Sequence, residues 1–330
     1  MAIRHEVSSR AFARDLLLKK INPMIWLTLT VFLVNFLIPD TAYAWGPGAH
    51  IDYALNSLTH LATLAPFVKK LLAKYPKDFL YGNIAADIIL GKKFAGELYH
   101  CHSWEVARPI LDKAVHDNQR AFVLGYLSHL SVDIISHNYF VPYKMIRSYE
   151  TLTLRHTYWE MRYDIKMNPR AWDILEELAE DKFLEHDKLL ASTLKRALFS
   201  FKTTKRIFNS LMMLQRMKRW RRAAQILASN SQYVLTDLDV KEYKRLCHES
   251  MLDFLCHPDA AQCFAVDPSG KLKLLYAKET IKNLRHFMKN KLMSREQAAQ
   301  FIQLVKKKLK QGIYQPVELP EVHLFLERGQ

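Results

Sequence analysis

Between residues 121 and 137 the chain reads AFVLGYLSHLSVDIISH, an apolar stretch into which His129, Asp133 and His137 are set at four-residue intervals. Each residue of an α-helix turns the side-chain direction by about 100°, so a step of four advances it by only about 40°. The three polar groups therefore share one side of a helix. Burying two imidazoles and a carboxylate without partners costs on the order of several kcal/mol. The segment demands either a hydrogen-bonded polar cluster or a common cation, and spacing alone leaves both open.

The rest of the chain supports a helical fold. Only 9 Gly and 12 Pro occur in 330 residues, too few for a turn-dense sandwich, and the 49% hydrophobic content predicts a buried core. Collagen, low-complexity disorder and a polytopic membrane protein are poor fits. Apolar spacing predicts a helix over 50–74 ending before Pro76, one over 118–139 stopped by Pro142, and one over 152–165 closed by Asn168 and Pro169. Further helices are expected at 171–200, 204–228, 240–255, 276–290 and 294–311. DPSG at 267–270 reads as a turn, and Lys271 to Ala277 is left as a possible short strand. No internal repeat is visible.

Residues 24–38, MIWLTLTVFLVNFLI, follow Arg10, Arg14, Lys19 and Lys20 and precede Ala42-Tyr-Ala44. That order of basic start, short apolar middle and small residues is the layout of a secretory signal. Residues 1–44 are expected to be a signal peptide, with Trp45 first in an exported chain that is periplasmic or secreted. An uncleaved membrane anchor is the alternative, disfavoured because the run falls short of the roughly 20 residues that span a bilayer. Four cysteines, Cys101, Cys247, Cys256 and Cys263, permit three pairings, and none is selected.

Charge is unevenly placed. The whole chain carries +15, which disfavours a cationic partner and favours phosphate or an anionic membrane surface. Residues 45–164 hold 13 basic and 11 acidic side chains, a net +2, whereas residues 165–330 hold 30 and 19, a net +11. From Ala191 to Thr236 there is no Asp or Glu, and ten Lys and Arg alternate with apolar residues such as Phe199, Phe208 and Trp220. That pattern suits an anionic lipid interface, with an ordinary solvated helix face or a nucleic-acid surface as alternatives. The run Lys306 to Lys310 is expected to face water near a helix end.

A second ligand pair, His156 and Glu160, stands one helical turn apart among Trp, Tyr and Met. Asp87 in YGNIAAD and His102 in YHCHSW add a carboxylate and an imidazole, with His100 the competing histidine. Nitrogen and carboxylate donors without a ligating cysteine pair point to zinc in a hydrolytic role. His60 and His116 are expected on solvated helix surfaces.

WGPGAH at 45–50, YGNIAADI at 81–88, HCHSW at 100–104, LGYLSHLSVDIISH at 124–137 and HTYWE at 156–160 together resemble the zinc-dependent phospholipase C family. Its superfamily also holds glycosylphosphatidylinositol-specific phospholipase D and fungal single-strand nucleases. The resemblance implies an all-α, multi-helix phospholipase C/nuclease-like bundle binding up to three zinc ions. Trp45 and His50 would bind one ion together with a bridging Asp133. Asp87, His102 and His129 would complete a second site, and His137, His156 and Glu160 the third.

Organisation then reads as a signal over 1–44, a zinc-binding catalytic region over 45–165 and a basic helical C-terminal region over 166–330. The implied activity is phosphodiester hydrolysis, with Asp87 and Asp133 as catalytic carboxylates and a phospholipid headgroup as substrate. A single-strand nuclease and a non-catalytic, zinc-stabilised lipid-binding protein are the alternatives; protein partners are not indicated. His137 follows the bridging aspartate sooner than in small secreted phospholipases, so the loop around the third ion is expected to differ.

Overall fold

A computed structural model describes residues 46–88, 101–151, 156–181, 183–193, 203, 205, 206, 208, 209 and 232–327. The run 24–38, Trp45, His100 and most of the basic stretch 191–236 lie outside these residues. Every regular element among the described residues is helical, as the composition predicts. None of these helices is long and apolar enough to cross a membrane.

Prolines punctuate the N-terminal part. Helix α1 (Pro47–Thr59) ends in a short turn at Leu61–Thr63, and α2 (Pro66–Lys74) restarts on Pro66. The single helix expected over 50–74 is therefore two helices. Pro66 has no amide hydrogen and would clash with the preceding turn, so it is tolerated only as an opening residue. Pro76 opens α3 (Pro76–Ala85) in the same way, and a 3-10 turn at Ala86–Ile88 follows.

After α4 (Trp104–Asp112) comes α5 (Asp117–Ile135), which carries the polar triplet. Pro142 was expected to stop this helix and does not. The chain widens into a π segment, Ser136–Phe140, and continues as α6 (Val141–Arg147) with Pro142 in its first turn. Within the π segment the Val141 amide reaches back five residues to the Ser136 carbonyl, which accommodates the missing donor of the proline.

Helix α7 (His156–Asp164) is followed by α8 (Pro169–Glu180) and α9 (Leu184–Thr193). Asn168 opens α8 as its N-cap, accepting from the Arg170 amide at 3.0 Å. Beyond the basic stretch lie α10 (Asp237–Cys256), α11 (Lys271–Lys289), α12 (Arg295–Gln311) and α13 (Val322–Glu327). The possible strand at 271–277 is the start of α11. The KLKLL alternation ends there, while Ala277, Thr280 and Leu284 recur at helical spacing and are buried.

One apolar core draws on residues from Ala49 to Val322. Helix α3 crosses α5 where Gly82 meets Gly125, close enough that a methyl on Gly82 would lie 2.0 Å from the Phe122 carbonyl oxygen. Helix α10 lies against α5, and Ser250 Oγ donates to the Ser131 carbonyl at 2.7 Å. Helices α11 and α12 pack on α6 and the π segment. No disulfide joins any of the four cysteines among the described residues. Lys307 and Lys310 are exposed as expected, Lys310 pairing with Glu242 at 2.6 Å, whereas Lys306 is half-buried and approaches Asp239 at 3.5 Å.

Candidate metal centre

Six parts of the chain converge on one polar interior. His50 comes from the first turn of α1, Asp87 from the 3-10 turn after α3, and His102 from the residues just before α4. His129 and Asp133 come from α5, His137 from the π segment, and His156 and Glu160 from α7. All eight residues are buried, none more than 7% exposed. In a core this apolar, such a set needs an internal reason.

The first group surrounds Asp133. His129 Nε2 and His102 Nε2 both stand 3.2 Å from its Oδ2, and His50 Nε2 stands 3.4 Å from its Oδ1. The two imidazole nitrogens of His129 and His102 face each other at 3.0 Å, and Asp87 Oδ1 is 3.3 Å from His102. The His50 ring stacks on His129 with centroids 3.7 Å apart. The second group is His137, His156 and Glu160, with His156 Nε2 2.6 Å and His137 Nε2 3.7 Å from Glu160 Oε1. The rings of His102 and His137, 6.3 Å apart, join the two groups.

Hydrogen bonding alone does not account for the first group. Both ring nitrogens of His50 and both carboxylate oxygens of Asp133 are buried without a hydrogen-bond partner. Three trios, His50 with Asp87 and His129, His102 with His129 and Asp133, and His137 with His156 and Glu160, each hold their donor atoms within 4.8 Å. This is the spacing of ligands around one cation, and the donor chemistry of imidazole and carboxylate suits zinc.

Electrostatics point the same way. Burial works against the Asp133 carboxylate, but His129, His50 and His102 hold its pKa well below the ordinary value. Burial likewise opposes charge on His129, yet Asp133 and Asp87 raise its pKa above 6.5. His50 is lowered, first by burial and then by His129. The site thus balances positive and negative charge in a buried interior.

Local structure sets the ring orientations. The Gly82 to Gly125 contact brings α3 against α5, and the Asn83 carbonyl then accepts from His129 Nδ1 at 2.7 Å. That bond places the proton on Nδ1 and turns Nε2 inward. Tyr126 on α5 donates to the Cys101 carbonyl, tethering the segment that presents His102. Asn83 was not read as functional, because a backbone carbonyl leaves no residue-type signal.

Asp164 was also missed. Its Oδ1 accepts from the Ala49 amide at 2.7 Å, next to His50, and Gly46 packs so closely that a methyl there would lie 2.3 Å from the carboxylate carbon. Burial pushes its pKa up to about 7, against the opposing effect of the Ala49 and Gly48 amides. The available signal was its place one turn beyond Glu160 on the face that carries His156. His60 and His116 are exposed as expected, and His116 instead caps α5.

Comparison with known proteins agrees with the donor set. The family described as zinc dependent phospholipase C matches residues 49–208. Over that segment the chain resembles this family. No curated protein and no solved structure matches it. The match agrees with the all-α fold and suggests a zinc-dependent, phospholipase C-like hydrolase, and every described ligand candidate falls inside the matched segment.

Proposed function

We propose that the protein is an exported zinc phosphodiesterase that cleaves phospholipid headgroups in the manner of a phospholipase C. The observation that carries this reading is the convergence of eight buried imidazoles and carboxylates from distant parts of the family segment. His102, His129 and Asp87 would hold one ion with Asp133. His137, His156 and Glu160 would hold another. His50 would hold a third with Asp133 and the amine and carbonyl of Trp45, which signal cleavage after Ala44 would free. Bound zinc supplies Lewis acidity toward the phosphoryl oxygens and toward the attacking water.

The chain's own groups do the rest. Asp133 is poised to bridge, because His50 approaches one of its oxygens while His102 and His129 approach the other. Asp87 faces the same space from the opposite helix and would orient the attacking water and take its proton. The surrounding core excludes bulk water, which strengthens each of these interactions. The basic stretch 191–236 would bring the enzyme to an anionic lipid surface, although Lys205 is already engaged by Asp187 at 2.7 Å.

The test uses the mature, zinc-loaded protein with phosphatidylcholine vesicles and, separately, single-stranded DNA. Release of a phosphorylated headgroup with several zinc ions bound is the expected result. Turnover of DNA alone would reassign the enzyme to the nuclease branch, and zinc binding without turnover of either would leave a structural lipid-binding role. Asp133→Asn should lower zinc content and reduce turnover on the order of 100-fold or more. Elemental analysis and initial rates read both, and unchanged values would end the mechanism.

A further inference from the structure

His137 differs from the other ligand candidates in its backbone setting. It lies in the π segment, where the α-helical ladder is interrupted, so the helix alone does not fix its side-chain direction. What does touch it comes from 131 residues further along the chain. The Pro268 carbonyl oxygen stands 2.7 Å from His137 Nδ1. A carbonyl can only accept, so Nδ1 carries the proton and Nε2, 3.7 Å from Glu160, keeps its lone pair on the side of Glu160 and His156.

The contact is built rather than incidental. Asn138 Nδ2 donates to the Asp267 carbonyl at 2.9 Å, gripping the same turn one residue on. The Asp267 side chain locks that turn from within, accepting from the Ser269 amide at 2.9 Å, the Ser269 hydroxyl at 2.7 Å and the Lys271 amide at 3.2 Å. Gly270 has φ of 58° and presses on His137 so tightly that a methyl there would lie 2.3 Å from the His137 carbonyl oxygen. Upstream, the Val266 carbonyl accepts from Trp104 Nε1 at 2.8 Å, two residues after His102. One short segment therefore grips the chain beside two ligand candidates.

We propose that the turn Asp267–Gly270, outside the matched family segment, positions His137 for metal binding: the Pro268 carbonyl sets the imidazole tautomer, and Gly270 permits the approach. The C-terminal region is then part of the metal centre. This rests on the proposed function, since it takes His137 as a zinc ligand. Partners of this kind are worth about 10- to 100-fold in metal affinity when removed.

The experiment measures zinc stoichiometry and chelator-competed affinity, together with the visible spectrum of the cobalt-loaded form, on the full exported chain. Gly270→Ala and the milder Asn138→Ala and Asp267→Ala are compared with Ser250→Ala, which breaks a different contact between the C-terminal region and α5. The first three should weaken one class of ion by about 10- to 100-fold and change the cobalt spectrum. Ser250→Ala should leave both as in the wild type. Equal zinc affinity in all four variants and the wild type, or equal losses in all four, would overturn the proposal. A wild-type chain that binds no zinc at all would instead overturn the functional reading beneath it.

Discussion

The Asp164 carboxylate meets the start of α1, where the first amide groups of any helix lack intrahelical partners. It thereby ties α7, which carries His156 and Glu160, to the turn that carries His50. Asp164→Ala leaves the Ala49 amide only its bond to the Gly46 carbonyl at 3.0 Å and should cost about 1 kcal/mol of stability, read by urea unfolding. At this scale the sequence was informative wherever side-chain type carries the chemistry. Eight of the nine expected ligands are described, and all eight face one interior. Partners that act through backbone atoms, such as Asn83 beside His129, stayed invisible because any residue type supplies the same carbonyl.

The helix pair α3 and α5 is spaced by backbone rather than by side chains. A methyl on Gly125 would lie 2.1 Å from the Phe79 carbonyl oxygen, so Gly125→Ala should push the helices apart. A loss of about 1 to 3 kcal/mol is expected from overpacking, with weaker zinc binding because the Asn83 carbonyl moves with α3. Unfolding and metal titration of the same variant check both.

Helix α6 offers a pH-dependent test. Lys144 is fully buried and bonded to Asp239 at 2.7 Å, and burial lowers its pKa to about 8 against the opposing effect of Asp239. Unfolded lysine titrates near pH ~10.4, so between about pH 8 and 10 the unfolded chain binds more protons than the folded one. This group's contribution to stability therefore rises with pH across that window. Stability of the wild type relative to Lys144→Met should increase from about pH 8 to about pH 10, measured by denaturant midpoints. Helix boundaries were legible at Pro76 and Pro169 but missed at Pro66, where the apolar spacing runs on across the break. They were misjudged where proline was accommodated by a π turn, because residue pattern does not reveal a change of helical pitch.

Across the whole molecule, helices from both charge halves share one core, so the weakly charged N-terminal half is buttressed by the basic one. Removing zinc should lower the melting temperature of the entire chain, because a ligand bound only to the folded state stabilises it by about 2.7 kcal/mol at a free concentration 100 times its dissociation constant. Calorimetry after chelation reads the loss. Re-adding zinc should restore the transition, whereas magnesium should not, since imidazole ligands suit zinc.

The π segment has a consequence for how this chain tolerates change in length. Five residues wound one per turn looser than their neighbours offset everything after Phe140 by about 100° from where an uninterrupted helix would carry it. His129 and Asp133 lie before the offset, and Lys144 with its hold on Asp239 lies after it. Two buried polar contacts of different kinds are thus phased by a single surplus residue, and a one-residue deletion there would keep every participant while turning one set away from its counterpart.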